Sequence, residues 1–498
     1  VVQKPLPDDP DVEPYLGVNS GTNFGISRIG VRWQEVDLWW RTLEPTPGNP
    51  QYDELLERLK SLKERGFRTK LSLVHLPGTP AWVHRPEEVA EAKSWSLTDG
   101  QAFFPTDEAL ATLPETFAEL IRRAGDTIDL LEIGGEDELI SGSEPYYLRK
   151  YPEHVHFGHV HGPVTRDLAA ITSAYIKGAK MANPNLRIAA GRPSGGSPAH
   201  ADFAFSRDVL TQVEGDFQFF PMDCYSFRMR YLDPRNMPNI GSANREYPAV
   251  FQHANEMTHT YLQGQKPFVS EYGYAIDNRL APDHPLQQEE AGHMLSAVLT
   301  AKLLGSPFFF WFNSYGCVES KYFDYGLWHD DTPMLLIPAM SQVIRVVEGV
   351  HQYDSRLGSP ESNLKLGLFG QRDRAYLAFW TDHGENPVRF ALPEDAKVLN
   401  FAGNAAEMPA DGLYSAGILA KYIVLDGPDA YEILHRVMET AEDDAMNLTA
   451  KLFLNDAKTA VLSVIPIAPA VKSQNVSCEY AFDDETEKSV AKDDDDAF

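Results

Sequence analysis

At 498 residues the chain exceeds one average domain, and its hydrophobic (43%) and charged (23%) fractions suit a globular protein with a sizeable core. A net charge of −28, from 44 basic and 72 acidic residues, argues against nucleic acid or an anionic membrane surface as partner, because both demand clustered Lys and Arg. No apolar run approaches the roughly 18 residues of a membrane-spanning helix.

In chain order, a Pro- and Asp-rich arm over residues 1–14 leads into a long stretch, 15–350, in which β-rich runs alternate with amphipathic helices. The strand candidates are Tyr15–Val18, Ile26–Arg32, Thr69–Val74, Leu130–Ile133, Arg187–Ala190, Met222–Ser226, Pro267–Ser270 and Phe308–Phe312. Eight parallel strands alternating with helices predict an α/β fold, the (β/α)8 TIM barrel. The helix predicted over Asp53–Arg65 places Leu55, Leu56, Leu59 and Leu62 on one face and stops at Gly66. Thr116–Gly125, Leu168–Met181 and Glu289–Leu304 read the same way. Beyond residue 350 the runs Leu364–Phe369, Ala375–Phe379, Val388–Leu392 and Ile418–Val424 are short, alternating and separated by turn residues. They predict a small antiparallel, β-sandwich-like domain over 351–470, followed by an acidic tail, 471–498. Three cysteines (Cys224, Cys317, Cys478) form no C-x-x-C pair and make a disulfide framework improbable.

Two strand ends carry carboxylates. In Lys266-Pro-Phe-Val-Ser-Glu271-Tyr-Gly-Tyr an apolar strand runs directly into Glu271. In Ile128-Asp-Leu-Leu-Glu132-Ile-Gly-Gly-Glu136-Asp-Glu138 another ends in acidic residues, with two glycines before Glu136. A carboxylate at such a place is costly unless paired or functional, and barrel strands deliver their last residues to the site mouth. A structural ion pair for Glu271 and a solvated acidic turn around Glu136 are the competing readings. Two strand-end glutamates in one barrel nevertheless suit hydrolysis of a glycosidic bond, which requires two carboxyls flanking it.

An ordered series of motifs resembles clan A glycoside hydrolases, families 39 and 42 (β-xylosidase and β-galactosidase type) in particular. Its members here are Ile29-Gly-Val-Arg32-Trp33-Gln-Glu-Val-Asp-Leu-Trp39, Leu43-Glu44-Pro45-Thr-Pro47-Gly48, Leu71-Ser-Leu-Val-His75-Leu-Pro-Gly-Thr-Pro80-Ala-Trp82, Leu131-Glu132-Ile-Gly-Gly135-Glu136 and Lys266–Gly273. The resemblance implies Glu271 as nucleophile and Glu136 as acid/base of a retaining mechanism with no cofactor. It also implies Arg32 near the nucleophile, His75 at a substrate hydroxyl, Tyr225 (in Asp223-Cys-Tyr-Ser) beside the nucleophile and Trp311 as a stacking platform under the sugar. One departure stands out: Gly135 occupies the place where the family carries an Asn that contacts the sugar 2-hydroxyl.

The loop His154-Val-His156-Phe-Gly-His159-Val-His161 alternates so that several imidazoles could share a side. With no cysteine nearby and no helical H-E-x-x-H, a wall of the substrate cleft is favoured over a zinc site, and no metal is expected. With Arg149, Lys150 and Arg166 close by, that wall hints at an acidic or sulfated sugar. The expectation is therefore a retaining β-glycoside hydrolase acting on an oligo- or polysaccharide, extracellular or periplasmic, with homo-oligomerisation open. The alternative, motivated by Gly135, is a carbohydrate-binding barrel with weakened turnover.

Overall fold

The computed structural model describes residues 12–19, 26–75, 78–97, 102–135, 144–156, 158–193, 203–224, 231–232, 240–277, 280–281, 284–313, 318–320, 323–329, 332–357, 364–382, 384–409, 412–443, 448–454, 460–466, 478–480 and 488–490. Eight parallel strands close into a barrel, each hydrogen-bonded to its neighbours in sequence, the first also to the last. They are Leu16–Val18, Trp33–Trp39, Arg68–Val74, Leu130–Ile133, Ile188–Ala190, Phe219–Asp223, Lys266–Tyr272 and Phe309–Trp311. The predicted (β/α)8 barrel is thus observed.

The sixth strand lies at Phe219–Asp223, three residues before its expected start at Met222, and two further boundaries differ from the sequence reading for identifiable reasons. The second strand runs over Trp33–Trp39, whereas Ile26–Arg32 holds a 3-10 turn at Ser27–Ile29 closed by Gly30 in a left-handed conformation (φ 100°). Ile26, Ile29 and Val31 are buried from this turn and not from a strand, so hydrophobicity alone mislocated the strand. The helix predicted from Thr116 begins at Asp107, where the Thr106 hydroxyl accepts the Ala109 N–H (3.2 Å). Pro114, which reads as a breaker, lies inside it.

Period-two alternation sorts the second strand into two environments. Val36, Leu38 and Trp40 pack in the layer between barrel and helices, while Trp33 faces the lumen. There it joins Leu130, Ala189, Phe268, Phe308 and Phe310 in a separate cluster that floors the barrel. Trp33 and Phe308 meet edge-on at 5.1 Å, Phe268 and Phe308 at 5.5 Å, and the Trp33 indole N–H is satisfied by the Pro14 carbonyl (2.8 Å).

After the barrel, a five-stranded antiparallel sheet has the order Gln352–Arg356, Leu364–Gln371, Arg374–Thr381, Lys421–Asp426, Lys397–Leu399. A three-stranded sheet (Leu413–Gly417, Glu385–Arg389, Glu442–Asp443) contributes Val388 and Tyr414 to a shared core with Leu366, Leu377 and Phe379, making a sandwich. The opposite face of the larger sheet (Phe369, Tyr376, Ala378, Trp380, Tyr422) belongs to the barrel's core, and the Trp380 indole donates to Ser296 on helix Pro285–Leu303 (3.0 Å). Burial on both faces explains why strand Leu364–Gln371 is apolar almost throughout. Later strands form two hairpins, Leu448–Leu454 with Ala460–Pro466 and Cys478–Tyr480 with Lys488–Val490.

Candidate active site

Directly above the aromatic floor the same strands turn ionic. Two residues on from Trp33 comes Glu35, two on from Phe268 comes Ser270, two on from Leu130 comes Glu132, and Lys70 and Ser72 project from the third strand. Lys70 is fully buried. Its ammonium lies 4.1 Å above the Phe310 ring, pairs with Glu35 (2.9 Å) and Glu132 (3.1 Å), and donates to the Ser270 hydroxyl (2.6 Å). Ser270 in turn donates to Glu132 (2.6 Å).

Arg192, just beyond the fifth strand, ties this layer to the seventh strand's end. Its Nε donates to both carboxylate oxygens of Asp223 (2.8 and 2.9 Å), and its Nη1 to Glu132 (3.0 Å), Ser72 (3.1 Å) and Glu35 (3.3 Å). Its Nη2 pairs with Glu271 Oε1. Burial works against the guanidinium's charge, but Asp223, Glu132 and Glu35 outweigh it and hold the proton more tightly than water would. Burial also pushes the Glu35 carboxyl up from its ordinary value, against the pull of Lys70 and Arg192. Burial outweighs the two cations, and the nearby charge of Asp37 adds to it.

Glu271 is the carboxylate at the edge of this network, with its side chain 14% exposed where Glu132 and Asp223 are at 0%. The seventh strand delivers it to the barrel mouth, and Gly273 allows the approach: a Cβ there would lie 2.1 Å from the Phe312 carbonyl oxygen. The E-x-G spacing is therefore a steric requirement of the contact between the last two strands. Cys224, whose N–H donates to the Glu271 carbonyl (2.8 Å), is buried, and burial pushes its thiol far up, out of nucleophile range.

The other expected site residues separate into three groups. Glu136 and Tyr225 lie outside the described residues. Arg32 stands at the N-terminal end of the second strand, at the floor end of the barrel beside Glu348, because the strand begins after it and not before. Arg192 stands where Arg32 was expected, next to Glu271. His75 is buried (3% exposed) with Nε2 against the Thr172 hydroxyl of helix Pro163–Ala182 (3.3 Å), since it falls on the helix-facing side of its strand. Trp311 is fully buried, its indole N–H on the Tyr325 carbonyl (3.3 Å) and its ring tilted against Tyr272, so it is a core residue and not an open platform. Gly135 lies by the mouth, where a Cβ would make only ordinary contact with Val74 (3.6 Å). The backbone there leaves room for a side chain. The constrained glycine is Gly134, at φ 130°.

Glu44 of the Glu44-Pro45 motif accepts the Gly48 N–H (2.8 Å) and the Trp40 indole (3.4 Å), fixing a turn. In the His-rich loop, Val155–His156 and His159–Val160 pair as a short hairpin, and His161 Nδ1 bonds Asp208 (2.7 Å). Its basic neighbours are already engaged: Lys150 with Glu88 and Glu91, Arg149 over the Trp95 ring at 4.4 Å, Arg166 with Asp167. No group of three His, Cys, Asp or Glu is arranged to hold a metal among the described residues, and no described helix is long and apolar enough to cross a membrane.

Sequence reasoning missed Glu35, Lys70, Arg192 and Asp223. The signal for Arg192 was present, a charged residue two positions after a predicted strand, much as Glu271 follows its own. Glu35 was hidden by the misplaced second strand.

No family model and no curated protein matches this sequence. Its structure resembles solved glycoside hydrolases. Against a family 39 glycoside hydrolase from the gut symbiont Bacteroides cellulosilyticus WH2 the TM-score is 0.58 at 16% identity, covering 82% of this chain and 80% of that one. Against Xyn30A, a family 30 subfamily 8 xylanase from Clostridium acetobutylicum, it is 0.50 at 11% identity, covering 84% and 97%. Against CelM2, a bifunctional glucanase-xylanase from a metagenome library, it is 0.51 at 10% identity, covering 84% and 97%. What they share with this chain is the fold, a (β/α)8 barrel. At such identities the likeness is one of architecture.

Proposed function

We propose that this protein is a retaining β-glycoside hydrolase in which Glu271 is the nucleophile and Glu136 the acid/base. The observation that carries the reading is the Glu271–Arg192 pair at the C-terminal end of the seventh strand, the end where barrels of this kind place their chemistry. A nucleophilic carboxylate must be ionised and held still. Arg192 supplies a permanent positive charge to Glu271, and Arg192 is itself fixed by Asp223, Glu132 and Glu35, so the carboxylate is held in one place at the mouth. Glu136 follows the fourth strand by sequence and would protonate the departing oxygen, then deprotonate the water that releases the glycosyl-enzyme. The mechanism uses only these carboxyls, with a separation of about 5–5.5 Å.

The test is hydrolysis of a broad panel of aryl glycosides and plant or algal oligosaccharides by the wild type and Glu271→Gln. Release by the wild type alone, from a mutant with an unchanged melting temperature, supports the reading. Gly135 favours one alternative, a barrel that binds carbohydrate with little turnover. Retained oligosaccharide binding with no release from any glycoside would select it.

A further inference from the structure

The floor end of the barrel, away from the carboxylates of the mouth, carries an arginine in an unusual state. Helix Leu336–Val347 places Ser341, Arg345 and, just past its end, Glu348 on successive turns of one face. That face lines a small cavity together with Gly30 and Arg32. The loop comes this close because Gly30 has no side chain and takes a left-handed conformation (φ 100°): a Cβ there would lie 3.2 Å from Ile344 Cγ2. The β-domain holds the helix end in place, the Gln371 amide donating to the carbonyls of Arg345 (2.7 Å) and Glu348 (2.8 Å).

Among the described residues the half-buried Arg345 guanidinium makes no hydrogen bond and no ion pair, and its Nη2 is closed off from solvent. Burial acts against its charge, the Tyr376 phenol offsets part of that, and Arg374 adds to the penalty as a like charge. The carboxylates of the neighbourhood are held by other groups. Glu348 accepts the Tyr15 N–H (3.3 Å) and is drawn to Arg32 and Lys302, while Asp426 pairs with Arg374 (2.5 Å) and Lys397 (3.4 Å). The helix C-terminus lends Arg345 a partial negative charge but no acceptor for Nη2. A buried donor on a charged group is costly to leave unsatisfied. A water molecule would satisfy the hydrogen bond and leave the charge as it is; an anion satisfies both.

From this arrangement we infer that Arg345, Ser341 and Arg32 form a halide site, filled by chloride in solution, where the barrel floor meets the β-domain. The cavity, about 10 Å³, suits one water-sized particle, which favours a monatomic ion over phosphate, sulfate or a carboxylate. The Ser341 hydroxyl donates to the ion, and the Arg345 guanidinium gains the counter-charge it lacks. Glu348 lines the same cavity, and burial pushes its carboxyl up to about 7, so the ion meets a neutral acid below that value and a repelling carboxylate above it. An ion that binds only the folded chain stabilises it. The site lies at the opposite end of the barrel from Glu271 and is independent of the glycosidase reading.

The test reads stability and ion binding in the full-length protein at about pH 6, below the range in which Glu348 ionises. Sodium chloride replaces sodium gluconate at constant ionic strength, so that general screening cancels. The melting temperature of the wild type should rise by about 2 °C or more with chloride and with bromide, but not with sulfate. The chlorine NMR line should show excess broadening that bromide removes. Arg345→Gln should abolish both responses, while Arg436→Gln, on helix Ala430–Glu439, should keep them. Ser341→Ala, a milder change in case Arg345→Gln does not fold, should raise the chloride midpoint about threefold or more. Equal melting temperatures in chloride and gluconate with no excess broadening would mean that water alone occupies the cavity and would overturn the site. A chloride response unchanged in Arg345→Gln or in Ser341→Ala, or sulfate acting as strongly as chloride, would overturn it as well.

Discussion

The lumen of the barrel holds two layers built by the same strands two residues apart, and they obey opposite rules. The floor is aromatic and closes by edge-to-face packing of Trp33, Phe268, Phe308 and Phe310. The layer above is ionic, with Lys70 and Arg192 shared among Glu35, Glu132, Asp223 and Glu271. Removing apolar area from water stabilises the floor directly. The ionic layer surrenders hydration, and mutual attraction roughly offsets that loss only while every partner is present. A layer that adds little net stability but fixes one carboxylate at the mouth is better understood as positioning than as core. Stability and function here share strands but not residues.

The largest effect should come from Glu271→Gln. It should cut hydrolysis at least about a thousandfold while leaving the floor untouched, as measured by initial rates together with a melting curve. Arg192→Met should destabilise the fold by about 3–5 kcal/mol, because buried carboxylates lose their counter-charge. Adding Asp223→Leu should return part of that loss, and urea denaturation of the two variants checks it. Phe268→Ala in the floor should also cost about 3–5 kcal/mol, but no second substitution to a smaller side chain should restore it, since a cavity has no partner to neutralise. If the arginine variant resists rescue as the phenylalanine variant does, the division into two kinds of layer fails.

A smaller effect concerns Glu348 at the floor end, near Arg32 and Lys302, where it accepts the Tyr15 N–H (3.3 Å). Burial pushes its carboxyl up from 4.5 to about 7. Between those values the folded state binds a proton that the unfolded chain has released, so this group's contribution to stability falls as pH rises through that window and levels off above it. At about 1.4 kcal/mol per unit the total is at most about 3.5 kcal/mol. Glu348→Gln should gain on the wild type as pH rises from 4.5 to 7 in melting experiments, and a constant difference would remove the assignment. The smallest effect is expected of Gly135→Asn. With only ordinary contact to Val74 awaiting a Cβ, it should change stability by less than about 1 kcal/mol, and oligosaccharide turnover then reports whether an amide there helps.

The eight-strand barrel was legible because its strands are short, apolar and regularly spaced between amphipathic helices. Leu130–Ile133 was placed residue for residue. Glu271 was legible as a charge ending an apolar run. What escaped notice was polarity buried inside strands: Lys70 looks like a solvent-facing residue of an alternating pattern, and only barrel closure turns that side inward, while Glu35 lay beyond the misplaced second strand. Burial in a lumen cannot be told from exposure by period-two alternation alone. Arg32 and Arg192 show the consequence, since shifting one strand by a few residues exchanged which arginine meets Glu271. His75 and Trp311 were placed at the correct strands but given the wrong face, for the same reason.

The most direct test of the account is to trap the intermediate. The protein would be incubated with the aryl 2-deoxy-2-fluoro glycoside of the sugar selected by the hydrolysis panel, digested, and examined by mass spectrometry. The account predicts one added fluorosugar per chain, on the peptide that contains Glu271. An adduct on another carboxylate, or full turnover of the parent glycoside with inversion at the anomeric carbon and no adduct, would contradict it.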